Sequence, residues 1–297
     1  PRVEAQLFVE ATGTEASLIR ELPGVEFESW RSWFRADRML AASAPALPNL
    51  PSFSQISAIR AGWVGLFPLR SRTAVTAVYD SSLISDEELV DSLPVIARMP
   101  VGGDAVVASL EPGIQRQPWI GNCVAIGEAA VATEPLDAVQ IHLAHAFVSH
   151  LVTLFPADAG SMPEAGAYNR VVRRLAQNVR DFQLAHYKLN RRFDDPFWEV
   201  ARTGEAPESL ERKLRLFALR GLVPLYDDES FFEWNWAELF IGHGLMPGAY
   251  DPRIDTIPDE EHVLKVQTRL RAVAGLVREM PTVDEVLSSA RRETAIA

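Results

Sequence analysis

The groups best placed for chemistry crowd into residues 119–150, WIGNCVAIGEAAVATEPLDAVQIHLAHAFVSH. An apolar run with Val124, Ala125 and Ile126 ends at Gly127. Three carboxylates, Glu128, Glu134 and Asp137, then follow in a short loop before an apolar helix. A strand that ends against a helix start presents unpaired N–H groups and a partial positive charge, so the junction favours an electron-rich or anionic ligand group. Pro135 suits such a start, where its missing N–H is not needed. In a simpler reading Glu128 is a loop carboxylate and Asp137 a helix-start residue, a place Asp favours in any case. His142 and His145 lie three residues apart but find no third ligand at convincing spacing, so they read as core or polar-contact histidines and no metal is expected. Cys123, in the apolar strand, reads as a buried structural thiol.

Composition bounds what these groups can serve. The chain has 297 residues, 47% apolar and 23% charged, an ordinary profile for a soluble globular protein with material for one large domain or two modest ones. A net charge of −11 argues against a general nucleic-acid grip or an anionic membrane surface. A lone cysteine excludes an intrachain disulfide and suits a reducing, cytoplasmic compartment. Neither a signal peptide nor a bilayer-spanning run is found. The chain opens at Pro1 inside what reads as a structured segment, as the later part of something longer would.

The elements that must position the carboxylates follow from local pattern. Residues 5–13, AQLFVEATG, read as a strand ending at Gly13, and 14–22 as a short helix. Strands are expected over 37–45, 56–69, 73–79 and 104–110. Ser85 and Glu88 form a capping box before Leu89, Val90 and Leu93, which predicts a helix from Ser85. A largely buried helix is expected over 136–155 and a long amphipathic one over 163–189, with Val172, Leu175, Val179, Phe182, Leu184 and Tyr187 on its buried side. Further helices are expected over 207–219, 260–280 and 282–292. Gly242, Gly244 and Gly248 come near a dinucleotide fingerprint, but the spacing is wrong and Pro247 intrudes. The expected fold class is α/β (α+β): a mixed sheet in a sheet-rich part, 1–135, followed by a mostly helical region, 136–297.

Motifs in order along the chain carry a family resemblance. GNCVAIG followed by EPL and a helix resembles the flavin-contacting segment of the flavin-dependent tryptophan halogenases, relatives of the aromatic-hydroxylating flavoprotein monooxygenases. VAIGEAA is similar to the monooxygenases' Gly-Asp-Ala-Ala motif, with Glu128 where Asp stands. AQLFVEATG resembles the strand closing the dinucleotide-binding half of many FAD enzymes, where Gly13 permits close backbone approach to the cofactor; a buried strand ending in a Gly turn is the alternative. GWVGLFPL, residues 62–69, resembles a Trp-x-Trp-x-Ile-Pro motif in which Trp63 and Pro68 match, Phe67 stands for Ile and Gly65 replaces the second Trp. RDFQLAHY at 180–187 and DDPFW at 194–198 also match family segments and read as structural. FFEW and FIGHG are similar to the substrate-pocket segment, which makes Phe231, Phe232, Trp234 and Trp236 candidates for gripping an aromatic substrate, with core packing as the alternative. The stretch between them is short beside the loop with which tryptophan-specific members grip the amino-acid backbone.

The resemblance implies an FAD-dependent oxidoreductase of the halogenase or monooxygenase type, acting on an aromatic, indole-type substrate. Reduced FAD comes from a separate flavin reductase, halide is the co-substrate, and hypohalous acid travels to a catalytic Lys beside the substrate. Matched position by position, Asp137 takes the place of the family's catalytic Glu, Ala138 of Ser, Val139 of Thr and Gln140 of Gly. Asp137 keeps the carboxylate that stabilises a developing cation or accepts its proton. Val139 and Gln140 fall at the halide site, where Val139 retains a backbone N–H and Gln140 is bulkier than Gly. Gly13, Glu128, Pro135 and Ile141 fall at flavin-binding positions, Glu128 facing the ribityl hydroxyls. Trp63 and Phe67 fall where the family walls the flavin off from its substrate. No GxGxxG follows an early strand, and the family's Lys lies upstream of the residues in hand. Two alternatives stay open: a non-halogenating monooxygenase-like relative, suggested by Gly65, Val139 and Gln140, and a non-catalytic binding module. A homodimer is one assembly the resemblance leaves open.

Overall fold

The computed structural model describes residues 3–158 and 160–294. The chain begins with β1 (Phe8–Glu10) and β2 (Phe27–Ser29), then β3 (Arg38–Ala44), β4 (Gln55–Ile59), β5 (Gly62–Pro68) and β6 (Thr73–Tyr79). After α1 (Asp86–Ala97) come β7 (Gly102–Ser109), β8 (Gly113–Gln115), β9 (Trp119–Ile120), β10 (Cys123–Ala125) and β11 (Val131–Ala132). Helices follow: α2 (Gln140–Thr153), α3 (Glu164–Leu189), α4 (Pro196–Thr203), α5 (Glu208–Arg220), α6 (Glu233–Gly242), α7 (Asp259–Glu279) and α8 (Val283–Thr294). Among the described residues no helix is long and apolar enough to cross a membrane.

Three sheets form. The largest is antiparallel, in the order β4-β5-β6-β3-β7; two small ones run β1-β10-β9 and β11-β8-β2. Side chains alternate across the large sheet as period-two geometry requires. Val64, Val75 and Ala77 face α1 through Leu89 and Leu93, while Trp63 and Val78 join the main core on the other side. Ser85 caps α1 by accepting from the Glu88 N–H at 3.2 Å, and Glu88 returns the bond to the Ser85 N–H at 3.0 Å. Val90 points to solvent instead of the sheet.

The structure corrects three local expectations. The segment 56–69 is not one strand but the β4–β5 hairpin, turned where Gly62 passes so close to β6 that a Cβ would sit 2.0 Å from the Val78 carbonyl oxygen. The helix expected over 14–22 is two 3₁₀ turns, Gly13–Glu15 and Ile19–Glu21, separated at left-handed Ala16. The buried Glu10 carboxylate caps the second by accepting from the N–H groups of Leu18 at 2.6 Å and Ile19 at 2.7 Å. Helix α2 starts only at Gln140, because Asp137 (φ 61°) and Ala138 (φ 52°) are left-handed. Helix α7 forms where expected and buries no residue.

Helix α3 is the axis of the helical part. Asn178 through Ala185 are all buried, so its second half is enclosed on every side and its chosen apolar residues lie in the core. That core is continuous: Trp63, Val78, Ile114 and Val124 from the strands pack in one cluster with Leu143, Val179, Phe197 and Phe240 from the helices.

Candidate active site

The loop between β11 and α2 is held by two glutamines. Gln183 Nε2, reaching from α3, donates to the carbonyl oxygens of Glu134 at 3.0 Å and Leu136 at 2.6 Å; Gln140 Nε2 donates back to the Glu134 carbonyl at 3.0 Å. Left-handed backbone at a residue with a side chain costs on the order of 1 kcal/mol, least for Asp and Asn, and persists where such bonds over-determine it. The turn leaves Asp137 free of α2, whose amino end has no side-chain cap. Its carboxylate instead enters a cavity.

This cavity, of about 240 Å³, is lined by Ile56 and Ala58 of β4, Trp63 of β5, Leu136 and Asp137, His186, Tyr187 and Asn190 at the end of α3, Trp198 of α4 and His243 after α6. Tyr187 and Trp198 stack with centroids 5.6 Å apart, and Trp198 Nε1 is anchored on the Ile59 carbonyl at 2.6 Å. His186 Nε2 stands 3.5 Å from Asp137 Oδ1, and its ring meets His243 edge to face at 5.7 Å. Burial, and secondarily the neighbouring His186, push His243 below the ordinary imidazole value. Asp137 Oδ2 is buried without a hydrogen-bond partner. Flat aromatic walls together with a carboxylate that lines the same cavity suit a planar, largely apolar ligand on which positive charge develops.

Behind the wall lies a second acid. Glu134 is fully buried; Tyr187 donates its hydroxyl to Glu134 Oε2, and Trp63 Nε1 donates to the Tyr187 oxygen at 2.8 Å, with Glu134 Oε2 at 3.4 Å. Burial pushes Glu134 up to about 7 against the lowering effect of these two bonds, and burial, then the Glu134 charge, push Tyr187 well above the usual phenol value.

A second edge suits a cofactor. Parallel β1 and β10 end side by side, Glu10 opposite Ala125, and the turns Gly13–Glu15 and Gly127–Ala129 that follow pack on each other. Gly13 and Gly127 are both left-handed. A Cβ at Gly13 would meet nothing within 4 Å, and one at Gly127 only Ala144 Cβ at 3.4 Å. Open backbone at the carboxyl ends of parallel strands is where dinucleotide cofactors settle. Glu128 is exposed at this edge, Pro135 is half-buried, and Ile141 on the first turn of α2 is 84% exposed.

Of the residues singled out in the sequence, Trp63 and Asp137 meet at the cavity. Val139 is buried at the amino end of α2, and Gln140 spends its amide on the Glu134 carbonyl. Phe67 leans over Gly65, where a Cβ would lie 2.7 Å from its ring. Phe231 stacks on Phe182, whose edge meets the buried Trp236 and His186, so neither candidate lines the cavity and the rings of Phe182 and His186 stand between them and it. Phe232 and Trp234 are 62% and 58% exposed. His142 on α2 pairs with Ser230 Oγ at 3.0 Å. Cys123 is buried, and burial raises its thiol. Within RDFQLAHY, read as structural, Arg180 and Asp181 are a buried ion pair, while His186 and Tyr187 also line the cavity, as does His243 of FIGHG. The adjacent His-Tyr pair at the end of a buried helix was the signal available for them.

The tryptophan halogenase family model matches residues 1–259. Among solved structures, the chain is similar to BrvH, a flavin-dependent halogenase from Brevundimonas sp. BAL3, with 33% identity and a TM-score of 0.90 over 97% of this chain and 59% of that one. Xcc4156, a flavin-dependent halogenase from Xanthomonas campestris, is 30% identical with a TM-score of 0.91 over 97% of this chain and 58% of that one. Tryptophan 6-halogenase SttH of Streptomyces toxytricini is 29% identical over 256 residues, 84% of this chain and 46% of that protein. The chain thus spans about half the length of the curated relatives it matches. With motifs, fold and family model in agreement over most of its residues, the chain belongs to the tryptophan halogenase family.

Proposed function

We propose that this chain is the substrate-facing part of an FAD-dependent halogenase for an indole-type aromatic, with a flavin reductase as partner. The observation that carries the reading is the Asp137 carboxylate, its Oδ2 unpartnered, entering a cavity walled by Trp63, Tyr187 and Trp198. Gly13, Glu128, Pro135 and Ile141 would hold the cofactor along the open edge of β1 and β10, which has the backbone clearance a flavin needs. When bound, reduced FAD supplies, with oxygen, the oxidising chemistry that turns halide into an electrophile. The backbone N–H of Val139, at the uncapped amino end of α2, is the halide contact, with Gln140 folded away beside it.

The aromatic walls orient the ring and, with Leu136 and Ile56, keep water from it. Asp137 stabilises the positive charge that builds on the attacked ring and accepts the proton the ring loses. His186, 3.5 Å away, faces the other carboxylate oxygen.

The test supplies purified protein with FAD, a flavin reductase, NADH, oxygen, bromide or chloride, and indole, and reads products by mass spectrometry. A halogen isotope pattern that needs halide and protein is expected. Hydroxylated product without regard to halide would mean a monooxygenase-like relative, and no flavin uptake at all would leave only a binding module.

A further inference from the structure

Glu134 has no role in the reaction above, yet its carboxyl is buried immediately behind two of the cavity's walls. The bonds around it have a forced direction. An indole N–H can only donate, so Trp63 gives its proton to the Tyr187 oxygen at 2.8 Å, and the Tyr187 O–H is left to donate to Glu134 Oε2. The chain of bonds thus joins β5, α3 and the Asp137 loop, and its two aromatic members face the ligand space. Glu134 Oε1 has no partner. A buried unpaired carboxylate oxygen is costly and a neutral carboxyl much less so.

We infer that Glu134 is a positioning residue: through the Tyr187 hydroxyl it fixes the Trp63 indole and the Tyr187 ring as the wall that orients the aromatic ligand opposite Asp137. Its significance for turnover rests on the halogenase reading; the hydrogen-bonded wall itself does not.

The arrangement makes the wall sensitive to one proton. Ionised Glu134 accepts a charge-assisted bond from Tyr187, and the neutral acid a weaker one. Burial pushes Glu134 to about 7, so both forms occur near neutral pH. Of the titratable groups around it, Tyr187 comes from α3; Asp137, on its own loop, and His186, on α3, face the cavity on the far side. β5 and α4 contribute the uncharged Trp63 and Trp198, and the amides of Gln140 and Gln183 are taken by backbone carbonyls.

The test needs neither cofactor nor turnover. In proton–nitrogen NMR spectra of the purified protein, the Trp63 indole N–H is assigned by its loss in Trp63→Phe and followed from pH 5 to 9. Expected is a signal that shifts in one step near pH 7 in the parent protein, stays flat in Glu134→Gln, and in Tyr187→Phe loses about tenfold of its protection from solvent exchange. The other indole signals report whether each variant keeps its fold. A step that persists unchanged in Glu134→Gln, or an N–H indifferent to both pH and Tyr187→Phe, overturns the assignment. If the parent protein halogenates, Glu134→Gln should raise KM for the aromatic substrate about tenfold and broaden the site of halogenation while flavin oxidation continues. If it does not halogenate, the NMR result still stands or falls by itself.

Discussion

The side-chain amide of Gln183 donates a 2.6 Å hydrogen bond to the Leu136 carbonyl, and the same nitrogen holds the Glu134 carbonyl at 3.0 Å. One residue of α3 therefore sets the backbone on both sides of Pro135, and with it the aim of Asp137. Removing that amide leaves the buried Leu136 carbonyl without its donor and the Glu134 carbonyl with Gln140 alone. Gln183→Leu should cost about 1–3 kcal/mol of stability, read as a lower denaturant midpoint, and should lower turnover more than the stability loss explains.

Asp137 combines strain with function. Asp137→Gly relieves the left-handed backbone at φ 61°, so it should raise the unfolding free energy by roughly 1 kcal/mol while abolishing product formation. Asp137→Asn keeps the shape and removes the charge; turnover should fall about 10²-fold or more with little change in Tm. Calorimetry and product assays on the two variants separate the contributions.

Glu134 predicts a pH dependence of stability. Its carboxyl rises from 4.5 to about 7 on folding, because burial disfavours the charged form. Between those values the folded state binds more proton than the unfolded one, so this contribution is complete below about pH 4.5 and is lost as pH rises through about 7. Glu134→Gln removes the titration. The variant should therefore gain on the parent protein between pH 5 and pH 8, measured as the difference in urea midpoints.

At Gly65 the ring of Phe67 occupies the space a side chain would need, 2.7 Å from an ideal Cβ, with Trp63 at 3.3 Å. Gly65→Trp alone should destabilise by about 1–3 kcal/mol through overpacking. Combined with Phe67→Ile it should recover much of that loss, a coupling that a double-mutant cycle of unfolding free energies measures directly.

Features set by neighbours within a turn or two were legible in the sequence. The Ser85–Glu88 capping box, the buried stripe of α3 from Val172 to Tyr187, the helix α5 expected over 207–219 and the motif order that marks the family all depend on local pattern, and all appear where read. Asp137 and Trp63 were singled out by motif alone, and both line the cavity. Tertiary structure decided the rest. Periodicity cannot foresee that Gln183 will reach 47 positions back to bend the chain at Asp137, or that Tyr187 will bond an indole 124 positions away. Nor can it tell which rings of FFEWNW are core and which are exposed, since Trp236 and Trp234 sit on one short helix and differ only in what packs against them. A cavity built by β4, β5, α3, α4 and the turn after α6 exists only once those elements converge, because its walls are made by contacts between segments far apart in the chain.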